Sequence, residues 1–209
     1  MLPVILLLGL ALLPFQAPLA NAQTVLILGD SISAAYGIQR EDGWVNLLQQ
    51  RLANARPGTR VVNASVSGET TGGGLARLPA ALAEHRPAIV VVELGGNDGL
   101  RGYPVKRARD NLAAMIDLVR GAGARPLLVG MRIPPNYGAR YTQAFERMYA
   151  DLADATQVPL VPFLLASVAL NPALMQGDGI HPTAAAQPAL LDTIWPFIDD
   201  LLHETAGAG

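Results

Sequence analysis

The sequence predicts a three-layer α/β/α domain built on a five-stranded parallel sheet. Three observations carry that prediction. From Thr24 onward, short runs rich in β-branched residues and leucine alternate with longer stretches of helical period. The short runs are continuously apolar, as in strands buried on both faces, rather than alternating with polar residues. Glycines and polar residues collect just after the first three runs, at the carboxyl edge where open parallel sheets form their ligand crevices.

The elements follow in order. A first strand is expected at Val25–Leu28, ending in Gly29-Asp30-Ser31. A helix over Gly43–Ala55 carries Trp44, Leu47, Leu48 and Leu52 on one stripe, and the second strand, Arg60–Asn63, runs into Ala64-Ser65-Val66-Ser67-Gly68. A helix at Gly74–Glu84 leads to the third strand, Ala88–Leu94, which ends in Gly95-Gly96-Asn97-Asp98. The helix over Val105–Arg120 presents Leu112, Met115, Ile116 and Val119 at helical spacing. A fourth strand at Pro126–Met131, a helix at Tyr141–Ala155, a fifth strand at Val158–Pro162 and a last helix at Ala184–Leu202 complete the pattern, with Thr205–Gly209 read as a frayed tail. Right-handed crossovers put helices on both faces of the sheet. With strand order 2-1-3-4-5, the first strand lies between the second and third. Ser31 is then flanked by the Gly68 loop on one side and the Asn97 loop on the other.

The chain has 209 residues, 51% of them hydrophobic, enough for one domain with a full core. A formal net charge of −2 and the lack of a basic run exclude an electrostatic case for nucleic acid or an anionic membrane. There are no cysteines, which removes disulfides, thiolate nucleophiles and Cys-ligated zinc. The apolar stretch from Met1 to Phe15, followed by Ala20-Asn21-Ala22, reads as a secretory signal peptide over residues 1–22, leaving a single domain over 23–209 and a periplasmic or secreted product. At fifteen residues the stretch is shorter than the roughly 20 that span a bilayer, so no stable membrane anchor is expected.

Serine is a poor nucleophile near neutral pH unless a base, usually a histidine oriented by a carboxylate, takes its proton. The chain offers three histidines. His85 falls at the start of the third strand, the wrong edge of the sheet, and His203 lies in the last helical turn. His181 stands in Gly177-Asp178-Gly179-Ile180-His181-Pro182, where Pro182 disfavours helix and the Asp178 carboxylate can reach Nδ1 across a tight turn. Nε2 then faces Ser31. Donors for an oxyanion are available from the Ser31 N–H, the Gly68 N–H and the Asn97 side-chain amide. Asp30, although adjacent to Ser31, is expected to serve the turn and to point away from the nucleophile. Glu69, Glu93 and Asp98 are not assigned catalytic parts. Leu100 and Tyr103, with Ile133, Pro134 and Tyr137, are expected to wall the substrate site. No metal and no cofactor are expected.

Gly29-Asp30-Ser31-Ile32-Ser33, Gly68, Gly96-Asn97-Asp98 and Asp178-Gly179-Ile180-His181-Pro182, in this order, resemble the four blocks of the SGNH (GDSL-type) hydrolases over about Thr24–Leu202. Ile32 stands where the family name has leucine. The resemblance implies the flavodoxin-like SGNH hydrolase fold, Ser31 as nucleophile, Asp178 and His181 as the other triad members, and Gly68 and Asn97 as oxyanion donors. Asn97–Gly102 and Ile133–Gly138 are most similar to the secreted bacterial thioesterase, lysophospholipase and arylesterase group. The expected activity is hydrolysis of small acyl esters and thioesters by a monomer. A carbohydrate-ester deacetylase of the same superfamily and a non-catalytic secreted binding module remain as alternatives. A phosphate loop at Ser67–Gly72 is disfavoured because the stretch contains an acid and no Walker lysine.

Overall fold

The computed structural model describes residues 23–206. The expected signal peptide, residues 1–22, lies outside the described residues, as do 207–209 of the tail. Five parallel strands form one sheet in the order β2-β1-β3-β4-β5, with β1 at Thr24–Gly29, β2 at Arg60–Asn63, β3 at Ile89–Glu93, β4 at Arg125–Val129 and β5 at Leu160–Val161. This is the predicted order. Every residue of β3 is buried, as are five of the six in β1, which explains the unbroken apolar runs.

Helices α1 (Trp44–Ala55) and α6 (Gln187–Ala206) pack together on one face of the sheet. On the other lie α2 (Thr71–His85), α4 (Val105–Gly121) and α5 (Ala139–Thr156), α4 between the other two. The buried stripes follow from spacing: Ala108, Leu112, Met115, Ile116 and Val119 on α4, and Phe145, Met148, Tyr149, Leu152 and Ala153 on α5. Gln187 ties the first layer together, since its Oε1 accepts from the Trp44 N–H (3.0 Å) and its Nε2 donates to the Thr183 carbonyl (3.2 Å).

Most boundaries shift by a residue or a few from the sequence reading, and four differences have a clear local reason. Helix α2 starts at Thr71, not Gly74, although Gly72 and Gly73 disfavour helix. The Thr70 hydroxyl accepts from the Gly73 N–H (3.3 Å), and Asp98 accepts from the Thr71 N–H (2.8 Å) and hydroxyl (2.6 Å). Strand β5 is only two residues long because Pro159 and Pro162 bracket it and cannot donate to the ladder. The Gly96–Asp98 stretch, read as a loop, is the start of a short helix, α3 (Gly96–Leu100). Helix α6 runs through Thr205 rather than fraying there: the Gln23 amide donates to the Thr205 hydroxyl (2.8 Å), which donates to the Leu202 carbonyl (3.0 Å).

Candidate active site

The carboxyl ends of β1, β2 and β3 converge as the strand order requires. Ser31 opens the turn after β1, which closes through Ala34 N–H to Asp30 carbonyl (3.0 Å) and Tyr36 N–H to Ser31 carbonyl (3.1 Å). Asn63 at the end of β2 braces this turn, its amide donating to the Ser33 carbonyl (2.8 Å).

His181 comes from a second tight turn, after Met175. There Gly179 takes a positive φ of 67°, and the Gln176 N–H donates to the His181 carbonyl (2.7 Å). The Gln176 side-chain amide donates to the Tyr36 carbonyl (2.8 Å) and to the Pro182 carbonyl (3.0 Å), so one side chain ties the histidine turn to the serine turn. The result is a chain of contacts: Ser31 Oγ lies 2.9 Å from His181 Nε2, and His181 Nδ1 lies 2.6 Å from Asp178 Oδ2.

The protonation pattern follows from the acid. Asp178 Oδ1 accepts from the N–H groups of Ile180 (2.9 Å) and His181 (3.0 Å). The bond from the His181 N–H, then that from the imidazole, then that from Ile180, hold its carboxyl down at about 2. An ionised carboxylate only accepts, so Nδ1 must carry the proton and Nε2 is left to accept from the Ser31 hydroxyl. The Tyr36 ring lies against the imidazole with 4.5 Å between centroids.

Ser31, Gly68 and Asn97 all line one groove with His181. Among the described residues, no protein acceptor takes the N–H of Ser31 or of Gly68. Gly68 adopts a φ of +79°, a conformation that L side chains rarely take, and the Arg101 guanidinium donates to its carbonyl (3.1 Å), holding the Gly68–Glu69 peptide next to the one that carries the Gly68 N–H. Arg77 on α2 clamps the same loop, donating to Glu69 Oε2 (2.8 Å), to the Ala64 carbonyl and to the Gly29 carbonyl at 3.5 Å. The Asn97 amide donates one N–H to Asp30 Oδ2 (3.1 Å) and retains a second.

Asp30 forms an Asx turn, Oδ1 accepting from the Ile32 N–H (3.0 Å), and makes no hydrogen bond to Ser31 or His181. Burial pushes its carboxyl up to about 6, against the bonds from Ile32 and Asn97 and the His181 charge that draw it down. Glu93, fully buried at the end of β3, is pushed well above the usual carboxylate range by burial and by Asp30 beside it. In the Ser67–Gly72 segment, Glu69 accepts from the Thr70 N–H (3.1 Å) and Asp98 from the first N–H of α2 (2.8 Å), so carboxylates already hold donors that a phosphate loop would offer. Among the described residues, no group of three or more His, Asp or Glu side chains is placed to hold a metal. His85 and His203 lie outside the groove, the latter 2.6 Å from an Arg56 nitrogen and 2.9 Å from the Asp199 carbonyl.

The groove has a volume of about 580 Å³, the size of pockets that enclose a small organic ligand. Of the five residues expected to wall the substrate site, Leu100, Ile133 and Pro134 line the groove. Tyr103 and Tyr137 do not. The Tyr137 hydroxyl instead donates to the Leu100 carbonyl (2.8 Å), and the Tyr103 carbonyl accepts from the Tyr141 hydroxyl (2.6 Å), so both residues brace the wall from outside. The opposite wall was missed: Phe163, Leu165, Ala169, Leu170, Met175 and Ile180. Its signal was the largely apolar stretch from Phe163 to Leu170, which belongs to no regular strand or helix: Leu164 and Val168 are buried in the core, while Phe163, Leu165, Ala166, Ala169 and Leu170 line the groove.

Residues 27–188 match the model of the GDSL-like Lipase/Acylhydrolase family. The chain is 54% identical over 195 residues to a Pseudomonas aeruginosa protein named Esterase TesA, covering 93% of this chain and 96% of that one. It is 49% identical over 194 residues to the Thioesterase 1/protease 1/lysophospholipase L1 of Escherichia coli, covering 93% and 91% of the two chains. Among solved structures, the psychrotrophic esterase EstA of a Pseudoalteromonas species, inhibited by monoethylphosphonate, superposes with a TM-score of 0.82 at 43% identity, covering 87% of this chain and 99% of that one.

Proposed function

The chain belongs to the GDSL-like lipase/acylhydrolase family and hydrolyses carboxylic esters and thioesters; we propose that it does so through an acyl-enzyme on Ser31. The observation that carries this reading is the unbroken contact from Asp178 through both nitrogens of His181 to Ser31 Oγ, at 2.6 and 2.9 Å. His181 Nε2 takes the serine proton as Oγ attacks the carbonyl carbon, then returns it to the departing alcohol or thiol. Asp178 holds the ring in the tautomer that permits this and offsets the positive charge it gains. The developing oxyanion is received by the N–H groups of Ser31 and Gly68 and by the second Asn97 N–H, each worth about 3 kcal/mol in the transition state. Water enters along the same path and releases the acid.

The apolar wall formed by Ile133, Phe163, Leu165, Leu170 and Ile180 favours an acyl chain over a carbohydrate. A sugar would meet few polar partners there, since most polar groups in the groove belong to the reaction centre. Residues 1–22 act as a secretory signal, so that the enzyme works as a monomer in the periplasm or outside the cell, with every reacting group supplied by one chain. No helix among the described residues is long and apolar enough to cross a membrane.

The decisive experiment is phosphonylation followed by peptide mapping. Stoichiometric label on Ser31, with burst kinetics on an activated aryl ester and loss of turnover in Ser31→Ala, is the expected result. Label on another serine, or full activity in Ser31→Ala, overturns the assignment.

A further inference from the structure

Beneath the nucleophile lie two carboxyl groups that the reaction as described does not use. Asp30 is 2% exposed and Glu93 is fully buried, and the register of β1 and β3 sets Glu93 directly beside Gly29. Glu93 Oε2 accepts from the Ser33 hydroxyl (2.6 Å) and from the Asp30 N–H (3.3 Å), while its Oε1 has no partner among the described residues. A Cβ on Gly29 would sit 2.6 Å from Glu93 Oε2, so the glycine makes room for the acid. Burying two acids without a salt-bridged cation costs stability, and such an arrangement persists where it has work to do.

The work is visible at Asn97. A terminal amide can be turned about its last torsion to offer either its oxygen or its nitrogen in a given direction. Nothing in the amide itself selects the nitrogen for the groove. Asp30 Oδ2 does, because it accepts from Asn97 Nδ2 at 3.1 Å, and the reversed amide would set oxygen against oxygen. Asp30 is itself immobile: Oδ1 is held by the Ile32 N–H and its own N–H is held by Glu93. We propose that Asp30, seated on Glu93, is the positioning residue that keeps the Asn97 amide nitrogen turned into the groove. The inference rests on the reading of Asn97 as an oxyanion donor. It assigns the aspartate next to the nucleophile a part in transition-state binding through Asn97, with no contact to substrate.

A double-mutant cycle on the full chain tests it, with an activated aryl ester at pH 8. Asp30→Asn should lower kcat about 100-fold, the order of a lost oxyanion donor, with KM within about threefold. In an Asn97→Ala background, the same change should cost less than about twofold, because there is no amide left to orient. A second 100-fold loss in that background, or an undiminished kcat in Asp30→Asn alone, overturns the proposal. Should Asp30→Asn not fold, Asp30→Ser keeps an acceptor for the Ile32 N–H, is too short for Asn97, and takes its place in the cycle. Glu93→Gln retains an oxygen for Ser33 and the Asp30 N–H and should keep kcat within about threefold, while Glu93→Ala should fall toward Asp30→Asn; equal losses in both remove Glu93 from the proposal. Failure of the underlying reading looks different: phosphonate label away from Ser31, or an Asn97→Ala enzyme with unchanged kcat.

Discussion

Asp30 and Asp178 are the same side chain within reach of the same reaction, and their surroundings make them opposites. Asp30 is one residue from the nucleophile, buried at the end of β1, and pushed up to about 6. Asp178 is far away in sequence, on a turn that leaves its side chain 40% exposed, and is held at about 2. What separates them is burial first, and then the supply of N–H donors. Asp178 faces three, from Ile180, His181 and the His181 ring, which favour the anion. Asp30 has two donors and a neighbouring acid, and burial outweighs them. The carboxylate set against the imidazole is therefore found on the outside of the molecule, and the acid nearest the serine is buried against Asn97 and Glu93.

The largest effect that bears on this contrast is expected from removing one charge at each place. Asp178→Asn puts an N–H donor where His181 Nδ1 needs an acceptor, favouring the tautomer in which Nε2 carries the proton and cannot take another. A fall in kcat of about 10⁴-fold is expected, with the fold intact. Asp30→Asn is expected to cost about 10²-fold, since it disturbs one donor of three. Steady-state kinetics on both variants with one aryl ester decide it. A larger loss at Asp30 than at Asp178 reverses the roles assigned to the two acids.

The same contrast explains what could be read from the sequence. Strand order, the three converging loops and the choice of His181 over His85 and His203 all follow from periodicity and from the rule that crevices form at carboxyl edges. Those signals are local or topological. The Asp30–Asn97 bond, the seat supplied by Glu93 and the Gln176 strap between the two turns join residues from 60 to 140 positions apart, and no spacing rule announces them. The α3 helix escaped because Gly96 and Gly99 disfavour helix; in the structure its Asp98 side chain accepts from the Thr71 N–H and hydroxyl. Tyr103 and Tyr137 fall in the two segments expected to wall the site, Leu100–Tyr103 and Met131–Tyr137. Their neighbours' carbonyl and hydroxyl groups draw them into bracing bonds instead.

A second way to sharpen the contrast is the pH dependence of stability, where the two acids should pull in opposite directions. A folded-state pKa of about 2 for Asp178, against an ordinary 3.8, means that its contribution is complete above about pH 4 and is lost as pH falls toward 2. Asp30, raised to about 6, binds its proton more tightly folded than unfolded, so its contribution falls as pH rises from about 4 through 6. Glu93 acts in the same sense as Asp30 and extends the decline to higher pH. Thermal unfolding of the wild type should show Tm dropping at both ends. Asp30→Asn should flatten the slope between pH 4 and 6 and leave the acid limb, whereas Asp178→Asn should do the reverse. An unchanged profile in Asp30→Asn contradicts the burial argument.

The smallest expected effect lies at the exposed rim of the groove. Leu170 is 97% exposed yet borders the same cavity as Ser31, so it touches solvent on one side and, when substrate is bound, the distal part of an acyl chain on the other. Because the free enzyme gains almost nothing from so exposed a side chain, Leu170→Ser should leave Tm unchanged. Full burial of a leucine is worth about 2 kcal/mol, and a one-sided contact at the rim about half of that. The consequence is a rise in KM of about fivefold for p-nitrophenyl esters long enough to reach the rim, with no change for the acetate. A chain-length series on the wild type and on Leu170→Ser measures this directly. If Leu170→Ser raises KM equally for acetate and for long esters, the chain does not follow the Phe163–Leu170 wall, and the groove on that side serves the leaving group.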